Sequence, residues 1–292
     1  MAGECSMNLL KKIKLLKIVK FFLCFIFMFY ILFPLTWIFL MSLKDFKDII
    51  AYPPKFIFTP SSNNYKEILL NNKNLFELTK IPPYVKYLLN SIITTVGAVV
   101  LSLLVGLPAA YSLARSKIIG KENLSFTFLS FRFAPELMVI LPLFTIFKTI
   151  KLYDTFLGLI LVHQLITLPL VIWIMLGFFK DIPMSIEEAA RIDGASVWTT
   201  FYKIILPMTQ PGIGAALVIS FIFSWNNLLF GLIMSGTNTM PITMGILQAM
   251  TFDQIKWGLM AAAAIFSAIP GIIIAVFFQK FLVRGLTLGA IK

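Results

Sequence analysis

Polar chemistry is scarce in this sequence, and it falls in unusual places. Arg132 and Glu136 stand four residues apart inside an apolar run, His163 and Gln164 lie inside another, and Trp225, Asn226 and Asn227 inside a third. In hydrocarbon, an ionisable side chain pairs or serves a function, because an isolated charge is strongly disfavoured. Four residues of helix bring Arg132 and Glu136 onto one face, where each can neutralise the other. They can form a structural ion pair facing a neighbouring subunit or line a translocation path. A single His inside a helix can bond a neighbouring helix or line the same path. With no second His or Cys beside it, a metal site is not expected. The Trp ring could stack on a sugar while the two Asn amides bind hydroxyls; the same amides can equally hold helices together. Paired catalytic carboxylates and His clusters are absent, so an enzyme is not expected and no catalytic residue is assigned. The chain also lacks a Gly-x4-Gly-Lys-Ser/Thr phosphate loop and cannot bind ATP by that device.

A second kind of chemistry resides in the polar stretch Lys180–Pro207. Ser185, with Glu188 three residues later, reads as a capping box that starts a helix at Ser185. Gly194 is placed to end it, and Ala195–Ile205 can form a second short helix stopped by Pro207. The first helix is small and amphipathic, with Ile186, Ala189, Ala190 and Ile192 among Glu187, Glu188, Arg191 and Asp193. Small side chains let another backbone approach, and the carboxylates suit charge-assisted bonds to an Arg-rich groove. A helix resting on the inner leaflet has the same pattern, so both readings stand.

These residues must be held by membrane elements. The 292 residues are 59% hydrophobic and 13% charged, with a mean hydropathy of +0.91, whereas soluble domains carry about 25% charged residues. Apolar blocks at about 20–42, 88–113, 124–147, 155–179, 208–234 and 258–280 are each long enough to cross a hydrocarbon core of ~30 Å as a helix. The predicted fold is an all-α transmembrane bundle of six helices. The formal charge of +12 comes from Lys and Arg scattered over short loops, which argues against nucleic-acid binding. If both termini are cytoplasmic, fourteen basic residues lie inside and three (Lys148, Lys151, Lys256) in short outside loops. The other seven outside, from Lys44 to Lys86, occupy one long loop that weighs less. The expected orientation is therefore N-in and C-in. The first apolar block exceeds the ~7–15 residues of a signal-peptide core and has no small-residue cleavage site, so a retained helix is expected. Cys5 and Cys24 are too far apart along one helix to form an internal disulfide.

The organisation expected is a basic leader over 1–19, a first transmembrane helix over 20–42 and an external loop over 43–87, with a short helix near Asn64–Leu70. A five-helix core follows over 88–280, including the cytoplasmic loop 180–207, and a cytoplasmic tail over 281–292.

The polar loop also carries a resemblance. Glu188-Ala189-Ala190, three residues, Gly194, nine residues, Ile204, one residue, then Leu206-Pro207 resembles the EAA loop of bacterial ABC-importer permeases, between spans four and five of six. The run from Glu188 to Ala195 resembles the carbohydrate-uptake branch, the maltose-type inner subunits. Arg132-Phe133-x-Pro135 with Ile140-x-Pro142, Trp225-Asn226-Asn227 followed by Leu229, and the tail from Gln279 resemble further elements of that branch. Phe133 stands where Met is common, and the tail stops short of the usual final glycine.

The resemblance implies an inner-membrane permease that forms half of a path for a sugar or sugar-like solute. It implies a second homologous permease subunit, two ATPase subunits that bind ATP and Mg, and an extracytoplasmic solute-binding protein. This chain itself would bind no cofactor. Its ATPase-coupling residues would be Glu187, Glu188, Ala189, Ala190, Asp193, Gly194, Leu206 and Pro207. A different class, an ion-coupled secondary carrier with Arg132, Glu136 and His163 as its relay, is the alternative; it leaves the Lys180–Pro207 loop unexplained.

Overall fold

The computed structural model describes residues 2–70, 81–116, 119–130, 135–250 and 254–288, with side chains described outside 2–15, 125, 129 and 280–288. All the named elements are helical, beside one isolated bridge between Met250 and Ile255. In chain order they are α1 (Ala2–Ser42), α2 (Phe46–Ile49), α3 (Asn63–Leu70), α4 (Pro83–Arg115), α5 (Lys121–Ser130), α6 (Glu136–Thr149) and α7 (Phe156–Asp181). Then come α8 (Met184–Ile192), α9 (Val197–Thr200), a π-helical turn over Phe201–Ile205, α10 (Leu206–Met208), α11 (Gln210–Trp225), α12 (Leu229–Met234), α13 (Ile242–Leu247) and α14 (Trp257–Leu288). They form two compact units: Met1–Ile68 with Ala249–Ile265, and Leu69–Gln248 with Phe266–Lys292.

In the first unit, the Leu16–Ser42 part of α1 is apolar and has no buried residue in its most hydrophobic stretch. Such a helix suits lipid or another subunit, since it hides nothing within its own unit. Its C-terminal carbonyls need partners. The Leu43 and Lys44 amides take the Leu40 and Met41 carbonyls at 3.1 and 3.2 Å, and the Ser42 hydroxyl takes that of Phe39 at 2.6 Å. Asn64 Nδ2 donates to the Ser42 carbonyl at 2.9 Å and to that of Lys44, just past the helix, at 3.1 Å. Lys44 is buried; its ammonium donates to the Lys55 carbonyl at 2.6 Å and lies 4.9 Å from both the Trp37 and Phe58 rings. The aromatic faces and the carbonyl stand in for the water it has lost.

The second unit is built on α4 packed against α7. Glycines set the distance: a Cβ on Gly97 would lie 2.6 Å from Ile160, and one on Gly106 2.7 Å from Val171. Removing those side chains lets the backbones close together, as membrane helices commonly do. Around this seam, Ala110, Val171, Met175, Phe179, Phe201, Ile205 and Ala216 form one buried cluster. Ile140, Leu159, Val162, Leu170, Phe230 and Met234 form a second.

Two of the expected continuous spans are interrupted. Pro135, at φ −57° and ψ 118°, is non-helical and α6 starts after it, so 124–147 is not one helix. The expected span 208–234 is divided at 226–228 into α11 and α12. Among the described residues, four helices are long and apolar enough to cross a membrane: Leu16–Ser42, Pro83–Arg115, Phe156–Asp181 and Trp257–Gln279. The chain is thus a multi-pass membrane protein. The short helix expected near Asn64–Leu70 is α3, one residue longer.

Between α6 and α7 the chain turns through Lys151 and Asp154, both with positive φ. The Asp154 carboxylate accepts from the backbone amides of Gly236, Asn238 and Thr239 at 2.8, 3.2 and 3.0 Å, and from the Asn238 amide and Thr239 hydroxyl at 2.9 and 2.8 Å. It fastens the segment after α12 to the start of α7. Partial burial alone would raise its pKa, but these donors outweigh it and hold the carboxyl below its ordinary 3.8. Stability from Asp154 is therefore present above that value and lost as pH falls through the lowered one. Asp154→Asn is expected to melt below the wild type at neutral pH in detergent, with the gap closing as pH falls below the ordinary 3.8. A gap independent of pH would show that the charge contributes nothing.

Candidate functional site

The loop between α7 and α11 is organised from its backbone outward. The helix start expected at Ser185 falls one residue earlier: α8 begins at Met184 with Pro183 at the cap (φ −60°, ψ 137°), and no side chain caps it. Proline fixes the entry dihedral and needs no amide partner, so the Ser185 capping box is not used. Helix α8 ends in a Schellman motif. Gly194 takes φ +81°, its amide donates to the Arg191 carbonyl at 3.0 Å, and the Ala195 amide reaches the Ala190 carbonyl at 2.9 Å. Ser196 then caps α9, its hydroxyl accepting from the Thr199 amide at 3.2 Å. The second helix expected over Ala195–Ile205 is instead α9 followed by the π turn. Thr209 closes the loop in a 76° bend between Val197–Met208 and Gln210–Trp225.

The two adjacent glutamates have opposite environments. Glu187 is buried: Arg115 Nε donates to its Oε1 at 2.5 Å and the Tyr111 hydroxyl to its Oε2 at 2.9 Å. Arg115 Nη2 also donates to the Ile182 carbonyl at 2.8 Å, so one guanidinium ties α4 to the corner between α7 and α8. Ala190 is buried as well. Glu188, Ala189, Asp193 and Gly194 are exposed, beside the exposed apolar Met184, Ile192, Val197, Trp198 and Tyr202. Leu206 is half-buried and Pro207 exposed in α10. Of the residues assigned to coupling from sequence, Glu187 and Ala190 hold the loop in place, while Glu188, Ala189, Asp193 and Gly194 form its outer face. Sequence reasoning missed Arg115 and Tyr111; the basic residue that ends a long apolar run was the signal available.

The polar residues inside the apolar runs divide similarly. His163 is buried, its Nδ1 2.8 Å from the Leu159 carbonyl and its ring edge-on to Phe230. Gln164 Nε2 donates to the Ala98 and Ile160 carbonyls, both at 3.0 Å, and its Oε1 accepts from Ser102 at 2.6 Å. Both make their hydrogen bonds within the packing around α7. Trp225 is buried and stacked on Phe221 at 5.4 Å. Asn226 is exposed, its amide spent on the Ile222 carbonyl at 2.9 Å. Asn227 Nδ2 donates to Glu136 Oε2 at 3.0 Å, and its Oδ1 accepts from the Phe230 amide at 2.8 Å. The amide side chain thereby joins the interruption before α12 to the first turn of α6. Arg132, the partner expected for Glu136, lies outside the described residues. A cluster of three or more His, Cys, Asp or Glu able to hold a metal is absent among the described residues.

Asn227→Ala removes a donor from a half-buried carboxylate and is expected to cost about 1–3 kcal/mol. Asn227→Ala with Glu136→Gln recovers part of that, read as melting temperature in detergent. Equal losses in the single and double variants would contradict the link.

The family model described as "Binding-protein-dependent transport system inner membrane component" matches residues 102–288. The trehalose transport system permease protein SugB of Mycobacterium tuberculosis is 37% identical over 273 residues, 90% of this chain and 93% of that protein. A probable ABC transporter permease protein, y4oR, of Sinorhizobium fredii is 34% identical over 261 residues, 89% of this chain and 90% of that protein. The trehalose/maltose permease protein MalG of Thermococcus litoralis is 30% identical over 264 residues, 89% and 91% of the two chains. In fold, the chain is similar to a bacterial ABC transporter that imports the acidic polysaccharide alginate, with a TM-score of 0.72 at 21% identity over 91% of this chain and 96% of that one. It also resembles the methionine transporter MetNI, with a TM-score of 0.56 at 18% identity over 69% and 95%. Ion-coupled secondary carriage finds no support in these likenesses. With the match extending over more than half of its length, the chain belongs to the binding-protein-dependent transport system inner membrane components, the permease subunits of ABC importers.

Proposed function

We propose that this permease forms half of the path for a sugar or sugar-like solute and is driven through its α7–α11 loop by a separate ATPase. A disaccharide-sized solute is favoured, because trehalose, maltose and diacetylchitobiose appear in the names of similar permeases. The observation that carries the coupling reading is the exposed face of that loop. Glu188 and Asp193 supply carboxylates, Ala189 and Gly194 a close backbone approach, and Met184, Ile192, Val197 and Trp198 apolar area, on a turn fastened from behind. Carboxylates among small residues suit a groove bearing arginines. Leu206 and Pro207 set where the loop turns into α11.

A second homologous permease completes the path, two ATPase subunits carry ATP and Mg, and an extracytoplasmic binding protein delivers the solute. The segments around α5–α6 and α11–α12 supply two further crossings beside the four long helices, giving six, with both termini inside the cytoplasmic membrane. The excess of Lys and Arg in the loops placed inside supports that orientation. The leader, the first span, the external loop, the core and the tail follow the boundaries given above. In the membrane, Glu136, Asn226 and Asn227 remain candidates for the path, together with Arg132, which precedes Glu136 by four residues. Their position at two interrupted helices suits a solute site, since interruptions place polar backbone at mid-depth.

The experiment is ATP-dependent uptake of radiolabelled trehalose, then maltose and diacetylchitobiose, into vesicles holding the co-purified importer. Uptake is expected for the wild type, and Glu188→Arg is expected to abolish it while membrane insertion is retained. Normal uptake by Glu188→Arg would remove the loop from the coupling role. Uptake of a non-sugar solute in place of all three would overturn the solute class.

A further inference from the structure

We propose that Arg115, which none of the likenesses assigns, is the positioning residue that makes the coupling helix α8 move with the α4–α7 body. The proposal rests on the coupling reading of the loop. Arg115 ends α4, and its planar fork spans two segments at once: Nε to Glu187 Oε1 on α8 at 2.5 Å and Nη2 to the Ile182 carbonyl at the end of α7 at 2.8 Å. A lysine gathers its three donors on one nitrogen and lacks the planar fork that spans the two acceptors from separate nitrogens. One turn earlier on α4, Tyr111 donates to the other Glu187 oxygen at 2.9 Å, and its ring packs at 5.6 Å from Phe179 and 4.8 Å from Phe201. Both oxygens of Glu187 are thus satisfied from within the chain, and its side chain is 1% exposed. Glu187 cannot be the residue that meets a partner; it is the point at which α8 is fastened.

The opposite end of the loop is built differently. The chain leaves through the π turn Phe201–Ile205 and the 76° bend at Thr209, whose hydroxyl bonds back to the Ile205 and Leu206 carbonyls at 3.1 Å. Such irregular helix departs from the regular hydrogen-bond ladder that continues elsewhere in the bundle. The loop is therefore bonded to α4 and α7 by charged hydrogen bonds and joined to α11 through irregular, apolar-packed helix. Displacement of α8 is delivered through the polar bonds to the first pair. A cavity of about 370 Å3 borders the ion pair on the side of Pro108, Ser112, Arg191 and Trp198. Packing does not back the pair there, so the transmission falls to its polar bonds.

The test uses the complete importer as it co-purifies, with Cys5→Ser and Cys24→Ser, and a nitroxide at Met138→Cys, an exposed position on α6. Accessibility of the label to a water-soluble relaxing agent is measured before and after ATP, Mg and vanadate. The wild type is expected to respond. Arg115→Met with Glu187→Leu removes both charges without stranding either; it should retain the ATPase while its response falls at least about fivefold, the lower end of typical coupling factors. Arg115→Glu with Glu187→Arg should recover part of the response, and Arg115→Lys should fall between the two. Tyr111→Phe, which deletes one bond and leaves the charges paired, should weaken the response in the same direction. A full response in the Met/Leu variant, or loss of the ATPase from it, overturns the proposal: the pair would then carry nothing, or would shape the docking face instead. An ATPase missing even from the wild-type complex would overturn the coupling reading itself.

Discussion

A carboxylate buried among apolar side chains must be neutralised where it lies, and that constraint fixes the functional end of this molecule. Glu187 is that carboxylate, and Arg115 with Tyr111 is the answer to it. Because Arg115 sits at the end of α4, helix α8 is held in one place, at the end of the α4–α7 pair where the ion pair places it. Because Glu187 points inward, the helical period turns Glu188, Ala189, Ile192 and Asp193 outward. The outer face of the loop is thus a consequence of one inward ion pair. Removing either partner alone would leave the other buried and unpaired, so the geometry is strongly specified whatever net stability the pair contributes.

The same economy of polar groups governs the membrane part. Lipid offers no hydrogen bonds, so the long amide side chains inside the bundle find partners there or return to their own helix. The buried hydroxyls of Thr94, Ser220, Ser224 and Thr243 stay unpaired among the described residues. Gln164 takes the Ala98 and Ile160 carbonyls and the Ser102 hydroxyl. Asn227 bridges Glu136 and the start of α12, where two interrupted helices would otherwise expose backbone. The glycines on α4 bring its backbone close enough to α7 for these short side chains to reach across. Small residues for approach and amides for closure together make the α4–α7 pair the rigid body on which the loop is mounted.

Much of this could be read from the residues. Apolar block length pointed to the membrane character, and the fixed spacing from Glu188 to Pro207 pointed to the permease family to which the chain belongs. Gly194 was recognisable as a helix end because a residue at φ +81° there favours glycine. What the sequence could not supply was pairing at long range. Arg115 and Glu187 are 72 residues apart, and nothing local marks them as partners. The adjacent glutamates look equivalent until burial separates them. Ser185 gave a correct local signal for a cap, but Pro183 set the helix entry first. Trp225 is compatible by type with a sugar platform or with packing, and only the structure shows its ring buried and stacked on Phe221. His163 and Gln164 were ambiguous for the same reason, since the side chains that line a path also bind helices together.

The most direct test of the coupled-permease reading is to tag this chain, extract it in mild detergent and identify what co-purifies. The predicted result is a second permease-like chain together with an ATPase that carries a phosphate-binding loop. A chain that purifies alone and transports without ATP would contradict it.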